Sequence, residues 1–191
     1  MKNFIKKIIQ KRTEKIVNLF EQFIKEDEKI LDIGAGGGWI GEEIQRRKKI
    51  EITPLDVKDF NQTSLKLVLY NGENIPFSDN SFDVSLLIFT LHHCPDPLRV
   101  LSEARRVTKG KIIVVEDAPT SLFNKMLLYP WDIITGLPSL IKPPGEKFAF
   151  NFKTVSQWQE IFQDLKFKII FQKEFQSNKL IHHVLFVTAK S

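Results

Sequence analysis

The stretch Ile30 to Gly41, ILDIGAGGGWIG, decides how this chain is read. An apolar run ends at Asp32 and Ile33, glycines follow at alternate positions (Gly34, Gly36, Gly38), and a helix-like segment begins. Glycine takes positive φ without a Cβ penalty and lets backbone approach a ligand closely. The spacing therefore predicts a sharp strand-to-helix bend, with the unpaired amides of the helix start beside it. A carboxylate at the strand end suits a cationic or hydroxyl-bearing ligand better than a pyrophosphate.

Two registers compete for that bend. Gly36-x-Gly38-x-x-Gly41 matches the dinucleotide fingerprint, with Asp56 placed where a ribose-binding acid would stand. Gly34-x-Gly36-x-Gly38 behind Asp32 instead sets the first glycine directly at the strand end. The second register gives Asp32 a task; the first does not.

Outward from the bend, short apolar runs alternate with helical patterns. Strands are predicted over Lys29 to Ile33, Ile50 to Leu55 (ending at Asp56), Leu65 to Tyr70, Phe82 to Phe89 and Lys111 to Glu116. Helices are predicted over Gly38 to Lys48, Pro97 to Val107 and Thr154 to Leu165, the last behind Thr154 as a cap. Too few residues separate Asp56 from the third strand for a full helix, so a shortened helix or a loop is expected there. Strands apolar on both faces and alternating with helices predict a parallel sheet covered on both sides. Lys168 to Phe175 and His183 to Ala189 lie close enough to pair antiparallel. The expected fold is a three-layer α/β/α domain with a doubly wound, mostly parallel seven-stranded sheet and an antiparallel C-terminal hairpin.

Residues 1–191 read as one domain. Residues 1–25 carry seven basic and two acidic side chains, the whole of the net charge of +5. Ile5, Ile9, Ile16, Leu19, Phe20 and Phe23 recur there at helical spacing, so residues 1–27 read as a basic amphipathic helix. Such a helix either packs on the domain with its lysines solvated or touches an anionic membrane surface; without interleaved aromatics, nucleic acid is not an expected partner. The single cysteine, Cys94, gives no sign of an oxidising compartment. The start lacks the apolar core of a signal peptide, and a cytoplasmic location is expected. Cys94 and the four histidines show no zinc spacing, so no metal is expected.

Four segments carry a family resemblance: LDIGAGGG (31–38), LDV (55–57), NGENIPFSDNSFDVSLLIFTLHHCPDP (71–97) and EARRVTKGKIIVVED (103–117). Together they resemble the class I S-adenosylmethionine-dependent methyltransferases, in particular the group related to ubiquinone and menaquinone biosynthesis. The resemblance implies S-adenosylmethionine as cofactor. It implies that Asp32 and the loop Gly34, Ala35, Gly36 and Gly38 hold the methionine portion, and that Asp56, followed by Val57, accepts from the ribose hydroxyls. Asn71, Gly72 and Glu73 would border the adenine, although the family usually has an acid where Asn71 stands, and Asn71 also reads as a turn former. Phe89 or Thr90 would lie beside the sulfonium. His92 and His93 would sit at the mouth of the acceptor pocket, as candidate bases if the acceptor must lose a proton.

Residues 117–152 are rich in proline and aromatics (Phe123, Tyr129, Trp131, Phe148, Phe150) and read as a lid over an apolar acceptor or as a helical cover on the sheet. Asp132, alone among apolar neighbours, is a third candidate catalytic group. His182 and His183 read as residues just before the last strand, facing solvent or packed. The expected function is methyl transfer to a small or lipid-like organic acceptor. The rivals are a nicotinamide-dependent oxidoreductase, from the shifted glycine register, and a non-catalytic S-adenosylmethionine-binding module.

Overall fold

The computed structural model describes residues 2–121, 124, 126, 128, 151–177 and 181–190, and for residues 2–5 the backbone alone. Seven strands form one sheet: β1 (Lys29–Ile33), β2 (Glu51–Asp56), β3 (Val68–Leu69), β4 (Phe82–Ile88), β5 (Thr108–Asp117), β6 (Phe167–Gln176) and β7 (His182–Lys190). Their order across the sheet is β3-β2-β1-β4-β5-β7-β6. Strands β1 to β5 run parallel, and β7 enters antiparallel between β5 and β6. This is the expected doubly wound sheet with its terminal hairpin. The order reverses between β1 and β4, and in such sheets the crevice at the carboxyl ends of the strands there is where ligands bind.

The helices divide the core into two layers. Helices α1 (Lys2–Phe20) and α2 (Trp39–Arg47) cover one face, burying Ile16, Val17, Phe20 and Ile44 against Ile30, Val84, Leu86, Ile113 and Val115. Helices α3 (Pro97–Val107) and α4 (Val155–Asp164) cover the other, where Leu101, Ala104, Trp158 and Phe162 meet Leu31, Ile33, Leu87, Ile112 and Val114. Successive strand residues thus alternate between layers, as a pleated strand buried on both faces must. The predicted cap holds: Thr154 accepts from Gln157 N, and Gln157 reaches back to the Thr154 amide, a reciprocal capping box.

Several boundaries differ from expectation. The third strand shrinks to Val68–Leu69, while residues 57–67 form bends, the loop alternative expected there. Asn61 organises that loop, donating to Leu65 O and accepting from Thr63 N, so a side chain satisfies groups a helix would have paired. Helix α2 starts at Trp39 because Gly38 takes φ +79 and cannot be its first turn. Strand β5 begins at Thr108, directly after α3. His182 and His183 do not precede the last strand but open it. Asp132 and most of residues 117–152 lie outside the described residues. Among the described residues, no helix is long and apolar enough to cross a membrane.

Candidate active site

The glycine bend is tied down from β2. Leu55 O accepts from both Gly34 N (2.8 Å) and Ala35 N (3.2 Å), and Gly38 N donates to Ala35 O. Gly34, Gly36 and Gly38 have φ of +72, +53 and +79, so the alternate glycines are those the backbone requires. Gly41 is not among the positive-φ residues and lies buried in α2, packed near Leu65 and Ile52. This geometry selects the Gly34-x-Gly36-x-Gly38 register. The three glycines differ in surroundings. A Cβ on Gly34 would lie 2.3 Å from Thr90 Cγ2, and one on Gly38 would lie 2.7 Å from Asn61 Oδ1 and Thr63 Oγ1. A Cβ on Gly36 would meet nothing within 4 Å, so the middle of the bend borders open space.

Two buried carboxylates stand at neighbouring strand tips. Asp56, the last residue of β2, accepts from Gly36 N (2.8 Å) through Oδ2 and from Val57 N (2.7 Å) through Oδ1. Burial pushes its carboxyl above the usual range, against the pull of the Gly36, Lys58 and Val57 amides. Asp32, in β1, keeps Oδ2 buried and without a hydrogen-bond partner. Burial, then the charge of Asp56, raises its carboxyl to about 7, with the Gly41 amide opposing. A buried acid held this way favours a cation or a hydroxyl donor that would complete it.

On the outer side of Asp56, Val57 is 51% exposed for an apolar side chain, and Gly72, at φ +81, lies against it. Asn71 Oδ1 accepts from Glu73 N and Asn74 N, closing a turn that presents Gly72. The turn-former reading of Asn71 is thus what its side chain does.

The loop after β4 lies on the far side of the glycine bend. Phe89 takes φ +54, which turns the chain as it leaves the strand, and Thr90 presses on Gly34. Glu116, fully buried near the end of β5, holds this loop: Oε1 accepts from Thr90 N (2.9 Å) and Leu91 N (2.6 Å), and Oε2 lies 2.5 Å from His92 Nδ1. His92 is buried and stacks on Phe152 (4.8 Å between centroids), whereas His93 is exposed. Cys94 donates weakly to Thr90 O, and burial pushes its thiol up to about 12, which keeps it out of nucleophilic chemistry. One residue further along β5, on the other face of the sheet, Asp117 Oδ1 pairs with His183 Nδ1 at 2.6 Å.

Residues 31–115 match the model of a family described as a methyltransferase domain. The demethylmenaquinone methyltransferase of Bacillus subtilis is 30% identical over 169 residues, covering 80% of this chain and 69% of that protein. The chain belongs to the class I S-adenosylmethionine-dependent methyltransferases. The demethylmenaquinone methyltransferase of a Geobacillus species is also 30% identical, over 134 residues, and there the match spans only 55% of the relative's length. A crystal structure of an S-adenosylmethionine-dependent methyltransferase from Methanosarcina mazei shares the fold, with a TM-score of 0.68 at 21% identity, over 90% of this chain and 96% of that one.

The cofactor of the class is S-adenosylmethionine, and the residues present fit it. Its ammonium and ribose diol need acidic acceptors, and its carboxylate needs room beside the backbone. The unpartnered Asp32 oxygen, the Asp56 carboxylate and the open space at Gly36 supply a matching set in this methyltransferase. Membership of this family sets the nicotinamide reading aside. Asp32, Gly34, Ala35, Gly36, Gly38, Asp56, Val57, Gly72, Phe89 and Thr90 converge at one end of the sheet, while Asn71 and Glu73 shape a turn beside it. The sequence reading has His183 facing solvent or packed, but it pairs neither Glu116 with His92 nor Asp117 with His183. The available signal was two consecutive acids at the end of a strand buried on both faces, since each must find a partner on its own side.

Proposed function

We propose that this chain transfers a methyl group from S-adenosylmethionine to a small, lipid-like aromatic acceptor of the quinol class. The observation that carries the donor half is the cradle: Asp32 and Asp56 at adjacent strand tips with the positive-φ bend between them. The quinol class is supported by relatives named demethylmenaquinone methyltransferase at about 30% identity.

In this reading Asp32 faces the donor's ammonium, the open space beside Gly36 receives its carboxylate, and Asp56 accepts from the ribose hydroxyls. Asp56 Oδ2, which accepts from Gly36 N, retains a lone pair for them, whereas Oδ1 already accepts from Val57 N and, at 3.4 Å, from Lys58 N. Val57 and Gly72 flank the adenine, with Asn71 and Glu73 shaping the turn. The bound donor supplies a methyl group already activated on a sulfonium. The chain's own task is alignment of the acceptor and exclusion of water at the Phe89-Thr90 loop. His92 keeps that loop in place through Glu116. His93 and Asp132 are assigned to the acceptor side.

Helix α1 carries the membrane part of this reading. Lys6, Lys7, Lys11 and Lys15 are exposed along it, and Ile8 is 52% exposed. That mixture suits the surface of an anionic bilayer, where a lipid quinol resides. The test is direct: purified protein, radiolabelled donor and a short-chain demethylmenaquinol kept reduced. Labelled ring-methylated quinol supports the reading; labelled product from other acceptors only would refute the quinol class. Sedimentation with anionic but not zwitterionic vesicles checks the role of α1.

A further inference from the structure

Consecutive residues Glu116 and Asp117 carry two buried acid–histidine pairs to opposite faces of the sheet, and the two pairs differ in kind. Glu116 is saturated by structure, binding two loop amides and His92. Asp117 holds His183, its register partner across the β5–β7 pairing. The carboxylate accepts, so Nδ1 donates to it, and in the neutral ring Nε2 is the nitrogen with the lone pair. No described residue hydrogen-bonds that Nε2.

The surroundings set His183 against the loop that follows β4. Its ring meets the edge of Phe89 at 5.3 Å and lies 5.0 Å from Phe175. Phe89 is followed by Thr90, and Thr90 presses on Gly34. Only two side chains therefore separate the glycine bend from the imidazole. The charged groups around it are Asp117 from β5 and, across the Phe89 ring, Arg12 from α1, whose guanidinium lies 5.4 Å from the ring centroid. His182, next in β7, instead lies within hydrogen-bond distance of Gln176. A buried polar pair adds little stability over apolar packing, so its position at the reactive end of the sheet calls for a chemical reason.

We infer that His183, oriented by Asp117, is the base that takes the proton from the acceptor's hydroxyl. The inference rests on the quinol reading for its acceptor and deepens it. The O–H proton passes to Nε2, and the electron pair released into the ring forms the new bond to the methyl carbon. The pair of the broken carbon–sulfur bond stays on sulfur. The ring C–H proton then leaves to water, and the imidazolium returns its proton to the ring oxygen. His183 is the catalytic residue here, and Asp117 positions it.

Two measurements on the full chain test this, and their failures differ. The first needs no acceptor. Histidine-labelled protein is titrated by NMR, saturated with either S-adenosylmethionine or S-adenosylhomocysteine, with His183→Asn supplying the assignment. The two ligands differ by one positive charge at sulfur, so the His183 midpoint falls by about half a pH unit or more in the sulfonium complex, and that of His182 by less. The second follows demethylmenaquinol methylation. His183→Asn lowers kcat by about a hundredfold or more while S-adenosylhomocysteine affinity stays within about threefold, and Asp117→Asn displaces the ascending limb of the kcat–pH profile. Equal midpoints with the two ligands, or a His183→Asn kcat within about threefold of the parent with an unchanged pH profile, overturns the inference. Wild-type protein that makes no methylated quinol while His183 still senses the sulfonium refutes only the quinol class and supports the placement of the base.

Discussion

Asp32 and Asp56 sit on adjacent parallel strands, Asp56 two residues beyond Pro54, the register partner of Asp32, and the charge of Asp56 joins burial in raising the Asp32 carboxyl from 3.8 to about 7. Because the native state binds this proton more tightly than the unfolded chain, the group lowers stability as pH rises between those two values. Asp32→Asn removes that loss. The ligand-free variant is more stable than the parent by roughly 2–4 kcal/mol at pH 8 and nearly equal at pH 4, measured by urea denaturation at both values. It also loses donor affinity.

The same linkage acts on binding. A donor ammonium favours the Asp32 carboxylate, so binding near pH 7 displaces a proton from the protein. Calorimetric titrations with S-adenosylhomocysteine in phosphate and in Tris should give apparent enthalpies that diverge in the direction of proton release, and affinity should rise as pH climbs through about 7.

Gly34 and Gly36 separate packing from ligand space. In Gly34→Ala the new Cβ collides with Thr90 at positive φ, and unfolding free energy falls by about 3 kcal/mol or more. Gly36→Ala suffers only the backbone penalty, about 1 kcal/mol, because its Cβ enters open space. It is nonetheless expected to abolish donor binding, since the proposed cradle puts the donor in that space. Thermal melts paired with calorimetry distinguish the two.

Glu116→Gln leaves at least one loop amide or His92 without its acceptor in a fully buried site. The expected cost is about 2–4 kcal/mol in chemical denaturation. A cost under about 1 kcal/mol would mean the loop is held by other means.

Legibility followed the range of the interactions. The glycine bend, the strand ending at Asp56 and the Thr154 cap depend on neighbours within a few residues, and each is where local chemistry puts it. β3 is short because Asn61 and Thr63 organise a loop that no periodicity announces. Asp117 and His183 are 66 residues apart and meet only through the antiparallel insertion of β7 beside β5. His92 reads as a candidate base because nothing local reveals Glu116 beneath it. Asn71 shows the opposite case: its turn-forming role was readable from Gly72 beside it.

The account turns most directly on a titration of S-adenosylhomocysteine into the purified chain and its Asp56→Ala and Asp32→Ala variants. It predicts saturable heat of one-to-one stoichiometry for the parent, lost in Asp56→Ala and sharply weakened in Asp32→Ala, with both variants folded by circular dichroism. No heat with the parent, or equal affinity in all three proteins, would contradict it.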